Sequence, residues 1–379
     1  MWIYSLLLIQ SALALWYIRL FSTYTRAWND QRGREEAQNE SGRTDEVTIL
    51  IAVRNEEKYL PRLFQSLERQ TYTPLQVIFI DDHSEDDSLA LISGYCDTHS
   101  NARFLRLPPA QTGKKQALSF AIAGIQTPWI LCTDADTRMG PEWVSGMMNC
   151  AMETDAVFVS GPVTMEARNT WFSKWQALEF SGLIAVGASG IILKRPTMCN
   201  GANLLYQKKT FVEVGGFSGN EDIASGDDQF VMHRMYERYP GRIHFCMDQR
   251  ALVYTETQDS LVTFVQQRIR WASKNGQFER SAVSFEMLGV WMVTAFLVMD
   301  GILGFYLPYF FMAFFVFFLT KLLAERHFYK NVLPFFQQTE LLKNFWLAEL
   351  FQVVYVFSIG LLGKFARYEW KGRKHARWN

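Results

Sequence analysis

The sequence has no excess of charge of either sign, since 38 Lys and Arg balance 38 Asp and Glu in 379 residues. A nucleic-acid partner is not expected, because proteins that bind nucleic acids usually carry a basic surface. Cysteine is scarce as well: there are five, with no Cys-x-x-Cys pair. This pattern favours neither a disulfide framework nor a zinc site, so the cysteines are expected to be reduced core residues.

The glycine-rich fingerprint GxGxxG and the phosphate-binding loop GxxxxGKS are both absent. Without the first, an oxidoreductase that binds a dinucleotide is disfavoured. Any phosphate site in this chain must therefore rely on cations rather than on a glycine-rich loop.

Aromatic residues, in contrast, make up 15% of the chain. Trp2 to Phe21 is apolar except for Gln10 and Arg19, and is long enough to cross a bilayer. Cleavage by signal peptidase after residue 14 is the rival interpretation, but no Lys or Arg precedes the apolar run and hydrophobicity continues beyond that point. We expect residues 1–22 to be an uncleaved anchor, with a polar linker over residues 23–46. Positive charges begin at Arg19, near the end of the run, and continue beyond it, which predicts that the following domain is cytosolic.

Further apolar runs lie near the C-terminus, where residues 283–365 are expected to form membrane helices. Residues 285–320 contain two charges, and the break near Gly304 to Pro308 separates two potential spans. A third run covers Phe345 to Gly363. Three full spans would leave the tail of residues 366–379 outside, whereas the six Lys and Arg after Gly363 favour the inside. One run is therefore expected to be interfacial or re-entrant, and the sequence leaves open which.

Residues 47–282 have the pattern of an α/β domain with a mostly parallel sheet. Short apolar strand candidates alternate with stretches of helical length. The strand candidates are Val47 to Val53, Val77 to Ile80, Phe104 to Leu107, Trp129 to Thr133 and Ala156 to Ser160.

Two of these candidate strands end in paired acids, Asp81-Asp82 and Asp134-Ala135-Asp136. Ligands of parallel sheets bind at the carboxyl ends of the strands, and residues i and i+2 project to the same side. A pair such as Asp134 and Asp136 suits Mg²⁺ or Mn²⁺, whose shell substrate phosphates complete. The alternative for Asp81 to Asp86 is a turn followed by a helix N-cap.

With these motifs in order, the chain resembles family two inverting glycosyltransferases of the GT-A fold, which carry spaced aspartates followed by QxxRW. The resemblance extends over about 225 residues. The arrangement of one apolar helix before the domain and a short cluster after it is similar to that of ceramide glucosyltransferases and bacterial poly-N-acetylglucosamine synthases. The matching segments are Val47 to Glu56, Asp81-Asp82, Gly113 to Lys115, Asp134 to Asp136, Cys199 to Leu204, Gly226 to Asp228 and Gln267 to Trp271.

The resemblance implies roles for individual residues. The uridine and phosphates of a nucleotide sugar would be held by Asp82, Glu56, Lys114 and the backbone at Ala52. Asp134 would contact ribose and, with Asp136, the metal ion. A helix start in solvent is the alternative for Lys114.

Asp228 aligns with the general base, and Asp227 is the second catalytic candidate, since Gly226-Asp227-Asp228 stands where many relatives have Thr-Glu-Asp. Gln267, Arg270 and Trp271 would close over diphosphate and acceptor. Their spacing places them on one face of a helix. Interfacial anchoring is the alternative, favoured by basic neighbours such as Arg268.

These observations predict a multi-pass enzyme of a bacterial inner membrane that moves a sugar from a nucleotide diphosphate sugar to a lipid-linked hydroxyl. The partners implied are the donor, the lipid acceptor and the membrane. A processive polysaccharide synthase and a non-catalytic nucleotide-binding scaffold are the alternatives.

Overall fold

The computed structural model describes residues 2–35, 44–218, 227–272, 282–365, 368–370 and 373–375. The chain divides into two compact units. The helical unit comprises Met1–Asp30, Thr170–Leu178 and Gln258–Asn379, and the sheet unit comprises Gln31–Asn169 and Glu179–Thr257.

Strands and helices alternate in the first half of the sheet unit, as the apolar patterns predict. The α-helices are α1 (Trp2–Glu35), α2 (Leu60–Glu68), α3 (Ser88–Thr98), α4 (Lys114–Ala123), α5 (Trp143–Glu153), α6 (Trp171–Ile192), α7 (Lys208–Glu213), α8 (Asp227–Arg238), α9 (Leu261–Ala272), α10 (Ala282–Leu303), α11 (Tyr309–Val332) and α12 (Phe345–Phe365). The strands are β1 (Val47–Val53), β2 (Leu75–Asp81), β3 (Ala102–Arg106), β4 (Trp129–Asp134), β5 (Arg138–Met139), β6 (Phe158–Ser160), β7 (Val163–Glu166), β8 (Leu204–Gln207), β9 (Ile243–Phe245), β10 (Val253–Glu256), β11 (Tyr368–Trp370) and β12 (Arg373–His375).

The sheet unit is built on a seven-stranded sheet of order β3-β2-β1-β4-β8-β6-β9. Strands β1 to β4 pair in parallel, and β8 runs antiparallel to both β4 and β6. Each predicted strand is present, and the α/β fold class with a mostly parallel sheet is confirmed. Residues of β1 are buried almost throughout, as expected for a parallel strand that is covered on both faces.

A second sheet of order β5-β10-β7 carries a group of charges on its strands. Arg138 on β5 and Arg62 on α2 both bind the Glu166 carboxylate, and Arg62 also lies 3.2 Å from Glu256 Oε1. Burial raises the pKa of the Glu166 carboxyl, but the hydrogen bonds from Arg62 and Arg138 outweigh burial, so that the pKa lies below its ordinary value. These pairs join α2 to the small sheet.

In the helical unit, α1 extends beyond the predicted anchor of residues 1–22, so the first part of the predicted linker is helical as far as Glu35. The reason is tertiary packing. Tyr24 and Trp28 are buried, and Trp28 packs edge-on to Phe335 with ring centroids 5.4 Å apart. Burial of aromatic side chains stabilises a helix even where the local sequence is polar. Residues 36–43 of the linker lie outside the described residues.

One face of α1 carries three neutral side chains seven residues apart, each bonded to an acid on another helix. Gln10 Nε2 donates to Asp300 Oδ1 at 2.9 Å, and Tyr24 Oη donates to Glu286 Oε2 at 2.8 Å. Between them, Tyr17 donates to Glu325. Such pairs satisfy polar groups that the apolar helices would otherwise leave unpaired.

Of the described residues, four helices are long and apolar enough to cross a membrane: α1, α6, α10 and α12. The apolar window of α6 is 83% buried inside the protein, against 22% or less for the other three, so core packing explains its hydrophobicity. Trp175 on α6 is buried against Phe351 and Tyr355, with ring centroids 4.7 and 5.2 Å away. The predicted N-terminal run and two of the three predicted C-terminal runs are thus among these helices, whereas the run after Pro308 lies on α11, which is not.

The five cysteines are free thiols, and Cys132, Cys150 and Cys246 are buried. The expectation that they are reduced core residues agrees with the structure for these three. Cys96 and Cys199 are partly exposed.

Candidate functional site

The acidic strand ends flank the central strand of the sheet. In the register of the parallel strands, Ala52 of β1 pairs with Asp134 of β4 on one side and with Ile80 of β2 on the other. Since Asp81 and Asp82 directly follow Ile80, the backbone at Ala52 lies between the two acidic motifs, at the edge where ligands of parallel sheets bind.

Asp82 is buried and faces the loop before α4. Its carboxylate accepts a hydrogen bond from the Gly113 amide at 3.1 Å and one from Thr112 Oγ1 at 3.5 Å. Gly113 has a φ of 97°, a conformation that favours glycine. Glycine at this position therefore allows the loop to direct its amide towards Asp82.

The neighbouring Asp81 has a structural role. It accepts a hydrogen bond from the Ser84 amide at 3.2 Å, which is the turn predicted as the alternative for this segment. Glu56 is also buried, and its amide donates to Ser88 Oγ at 2.7 Å. The turn therefore fixes the backbone on which Asp82 and Glu56 lie.

Lys114, the first residue of α4, reaches Asp134 at the end of β4. Its Nζ donates to Asp134 Oδ1 at 2.5 Å, and both side chains are partly exposed. Lys114 is therefore both the start of a helix, as the alternative has it, and the partner of an acid. A cation and a carboxylate thus meet at the sheet edge.

The turn that carries Asp136 is held by two threonines. Thr137 Oγ1 donates to the carbonyl of Asp134 at 2.7 Å, and Thr133 Oγ1 donates to the carbonyl of Ala202 at 2.8 Å. The second bond ties the end of β4 to the loop before β8. It brings Gly201, the neighbour of Ala202, to the acidic edge.

The donor set at this edge is chemically suited to a divalent cation. Asp134 and Asp136 supply two carboxylates in one turn, and Asp134 already holds the ammonium of Lys114. Within the described residues there is no group of three or more His, Cys, Asp or Glu side chains that could hold a metal ion. Mg²⁺ is typically bound by one or two carboxylates plus substrate phosphates, so a two-carboxylate set is compatible with it.

Asp228 lies in the first turn of α8 and faces the same loop. Its Oδ2 accepts a hydrogen bond from the Gly201 amide at 3.0 Å, and its Oδ1 accepts one from the Gln229 amide at 2.9 Å. The structure therefore brings this predicted residue close to Lys114 and Asp134. The side chain of Asp227 and all of Gly226 lie outside the described residues.

The loop that carries Gly201 is anchored by Asn203, which sequence reasoning did not single out. Asn203 is fully buried and donates through Nδ2 to the carbonyls of Pro162 and Ala251, at 3.0 and 2.9 Å. Its Oδ1 accepts from Trp143 Nε1 at 3.0 Å. The sequence places Asn203 in the matching segment Cys199 to Leu204, but nothing in that segment reveals these distant partners.

The QxxRW segment lies on α9 in the helical unit, and Gln267, Arg270 and Trp271 are all partly buried there. The most buried cation of the motif is Arg268, with 2% exposure. Its guanidinium lies 4.1 Å from the Trp271 ring centroid and 4.8 Å from that of Phe264. Sequence reasoning treated Arg268 only as a basic neighbour, although its i, i+3 spacing to Trp271 could have indicated this contact.

Comparison with known proteins identifies relatives of this chain. Residues 48–220 match the family model for glycosyl transferase family 2. An undecaprenyl-phosphate 4-deoxy-4-formamido-L-arabinose transferase of Sodalis glossinidius is 23% identical over 181 residues, 45% of this chain and 55% of the relative. A poly-beta-1,6-N-acetyl-D-glucosamine synthase of Staphylococcus epidermidis is 23% identical over 242 residues, 62% of this chain and 56% of the relative. The chain thus spans little more than half the length of these relatives.

Among solved structures, a mannosyltransferase from Pyrobaculum calidifontis in complex with GDP-Man and Mn²⁺ shares the fold with a TM-score of 0.51. The two are 13% identical, and the match covers 91% of this chain and 99% of that one. The family match, the parallel-rich sheet and its acidic edge lead to one conclusion: the chain carries a glycosyltransferase family 2 domain of the GT-A fold.

Proposed function

We propose that this protein is a membrane-bound inverting glycosyltransferase that moves a sugar from a UDP-sugar to a lipid-linked hydroxyl at the cytosolic membrane face. The observation that carries the proposal is that Lys114, which pairs with Asp134, and Asp228 both lie beside Gly201. A cation for a diphosphate and a carboxylate for a hydroxyl proton are the two groups that this reaction requires.

Donor binding is assigned to the edge around Ala52. Asp82 and Glu56 lie on the loops that follow β2 and β1, where the nucleoside would be held, and Lys114 would turn from Asp134 to the phosphates. Mg²⁺ or Mn²⁺ on Asp134 and Asp136 would neutralise the charge of the diphosphate leaving group. Gln267, Arg270 and Trp271 are proposed to contact the diphosphate, where an arginine offers a planar fork of donors and a tryptophan offers an apolar wall.

In the chemical step, Asp228 accepts the proton of the acceptor hydroxyl as its oxygen bonds to the anomeric carbon. The bond from that carbon to the diphosphate oxygen breaks, and its electron pair leaves with the nucleotide. Attack opposite the leaving group inverts the configuration. The hydrogen bonds from the Gly201 and Gln229 amides fix the orientation of this carboxylate.

The acceptor and the location are inferred from the apolar helices and from the names of the relatives. α1, α10 and α12 are suited to a membrane, and one relative is named for an undecaprenyl-phosphate substrate. We infer a multi-pass protein of a bacterial inner membrane with its sheet unit in the cytosol.

A processive polysaccharide synthase is the second candidate, because other relatives are named poly-beta-1,6-N-acetyl-D-glucosamine synthases. The decisive experiment incubates the purified full chain with a panel of nucleotide sugars and a total lipid extract, followed by mass analysis. A single sugar on a lipid supports the proposal, and a ladder of products supports the synthase. If the wild type binds nucleotide as tightly as Asp228→Asn does and forms no product, a non-catalytic scaffold is supported.

A further inference from the structure

Gly201 contacts both charged groups of the proposed reaction. A Cβ built on this residue would lie 3.4 Å from Lys114 Nζ and 3.6 Å from Asp228 Oδ2. Its next neighbour would be Asp228 Cβ at 3.9 Å. A methyl group would therefore fit without displacing the protein, but it would enter the space between the ammonium and the carboxylate.

Neither backbone conformation nor packing requires glycine at this position. Gly201 is not among the residues with positive φ, unlike Gly113 with its φ of 97°. It is also not a packing glycine such as Gly161, where a Cβ would lie 2.2 Å from Asn203 Nδ2. The lack of a side chain at position 201 therefore leaves room beside the two charged groups.

The chemistry of an inverting transfer identifies that ligand. The leaving phosphate and the base must lie on opposite sides of the anomeric carbon, so the transferred sugar lies between them. With Lys114 at the phosphates and Asp228 at the acceptor hydroxyl, the ring of the donor sugar passes the Cα of Gly201.

We propose that residue 201 determines which donor sugar the site accepts, because its lack of a side chain leaves room for the sugar ring and its substituents. This inference rests on the proposed function. The position is held firmly: the amide of Gly201 binds Asp228, the carbonyl of Ala202 accepts from Thr133, and Asn203 anchors the loop. A side chain added at 201 cannot easily move aside.

The test is Gly201→Ala in the full chain, since alanine keeps the amide that orients Asp228 and adds only a methyl group. Gly140→Ala is the matched control, because a Cβ at residue 140 meets nothing within 4 Å. Calorimetry measures the affinity for UDP and for the UDP-sugar that the wild type consumes, and transfer rates are measured with the same sugar and with UDP-xylose, which lacks the hydroxymethyl group of UDP-glucose.

We expect unchanged UDP affinity in Gly201→Ala, and a loss of about tenfold to a hundredfold in transfer of the hexose, with a smaller loss for xylose. Wild-type transfer of the hexose by Gly201→Ala would overturn the inference while leaving the proposed function intact. Equal loss of UDP binding and of both transfers would also overturn it, because residue 201 would then act on the fold. If the wild type neither binds UDP nor transfers any sugar, the proposed function fails, and the inference with it.

Discussion

Lys114 Nζ lies 2.5 Å from Asp134 Oδ1, so the first residue of α4 and the last residue of β4 are joined by a charge-assisted hydrogen bond. This bond places a positive charge where a nucleotide diphosphate would bring its phosphates. A metal ion on Asp134 would compete with Lys114 for this carboxylate, and the ammonium would then be available to the phosphates.

The first prediction concerns the partner of Asp134 in the same turn. Asp136→Ala should abolish the dependence of UDP binding on Mn²⁺ or Mg²⁺, because one carboxylate alone holds a hard divalent ion weakly. Calorimetry with metal and with chelator measures the effect. Asp97→Ala, at an exposed site near the end of α3, is the control. Unchanged metal-dependent affinity in Asp136→Ala would remove Asp136 from the metal site.

A second prediction separates catalysis from helix capping at Asp228. Asp228→Asn should lower transfer by roughly two to four powers of ten with nearly unchanged donor affinity, because the amide has the shape of the carboxylate but not its basicity. Asn can accept only one of the two amide hydrogen bonds that Asp228 accepts, so a purely structural role would instead lower the melting temperature together with turnover. If turnover stays at the wild-type level with saturating lipid acceptor, the base lies elsewhere and Asp227 becomes the next candidate.

The strand ends could be predicted from the sequence because each depends on local pattern. An apolar run that stops at Asp81 or Asp134 shows both the strand and the residue at its carboxyl end. The contact between Asp228 and Gly201 could not be predicted in this way, since it depends on the packing of α8 against a loop that precedes it by 27 residues.

The extent of α1 and the burial of Arg268 are further examples. Residues near Asn29 are polar, and this polarity predicts a linker. In the structure Trp28 is buried against Phe335, and this tertiary contact extends the helix. The sequence predicts that Arg268 is a surface charge, but its guanidinium lies over the rings of Trp271 and Phe264. Tertiary packing overrides local polarity in both cases.

A third prediction follows from the lowered pKa of Glu166. The folded carboxyl binds protons less readily than its ordinary pKa of 4.5 implies, so its contribution to stability is present above pH 4.5 and is lost as the pH falls through the folded pKa. Glu166→Gln should therefore lower the free energy of unfolding by about 1 kcal/mol at neutral pH, and by less at pH 4. The value is small because the carboxylate is partly exposed to solvent, which screens its ion pairs.

Thermal unfolding of the full chain in detergent at pH 7 and pH 4 measures this difference. Glu153→Gln, at an exposed site at the end of α5, is the control. A destabilisation by Glu166→Gln that is equal at both pH values would show that charge pairing is not its cause.

The fourth prediction concerns the side of the membrane on which the tail lies. Six Lys and Arg follow Gly363, and such clusters remain in the cytosol. A reporter fused after Asn379 should therefore be active on the cytosolic side, and one fused after Gly304, between α10 and α11, should be active outside. If the fusion after Asn379 is active only outside, three complete C-terminal spans become the simpler topology.

The fifth prediction addresses the buried charges of the helical unit. Lys321 on α11 lies 2.9 Å from Glu325 Oε1 and also binds Glu349 on α12, and all three side chains are buried. Lys321→Met should destabilise the protein by about 3–5 kcal/mol, because it leaves two acids buried without their cation. Lys330→Met, at an exposed site on the same helix, should have little effect.

The double variant Lys321→Met with Glu349→Leu tells whether the loss comes from uncompensated charge or from lost packing. It removes one cation and one acid together, and leaves Glu325 with its hydrogen bond from Tyr17. Replacing a buried ion pair with apolar side chains is often neutral, so we expect the double variant to recover much of the melting temperature that Lys321→Met loses. A double variant less stable than the single one would contradict this account, because the destabilisation would then follow the number of side chains replaced rather than the charge left unpaired in the interior.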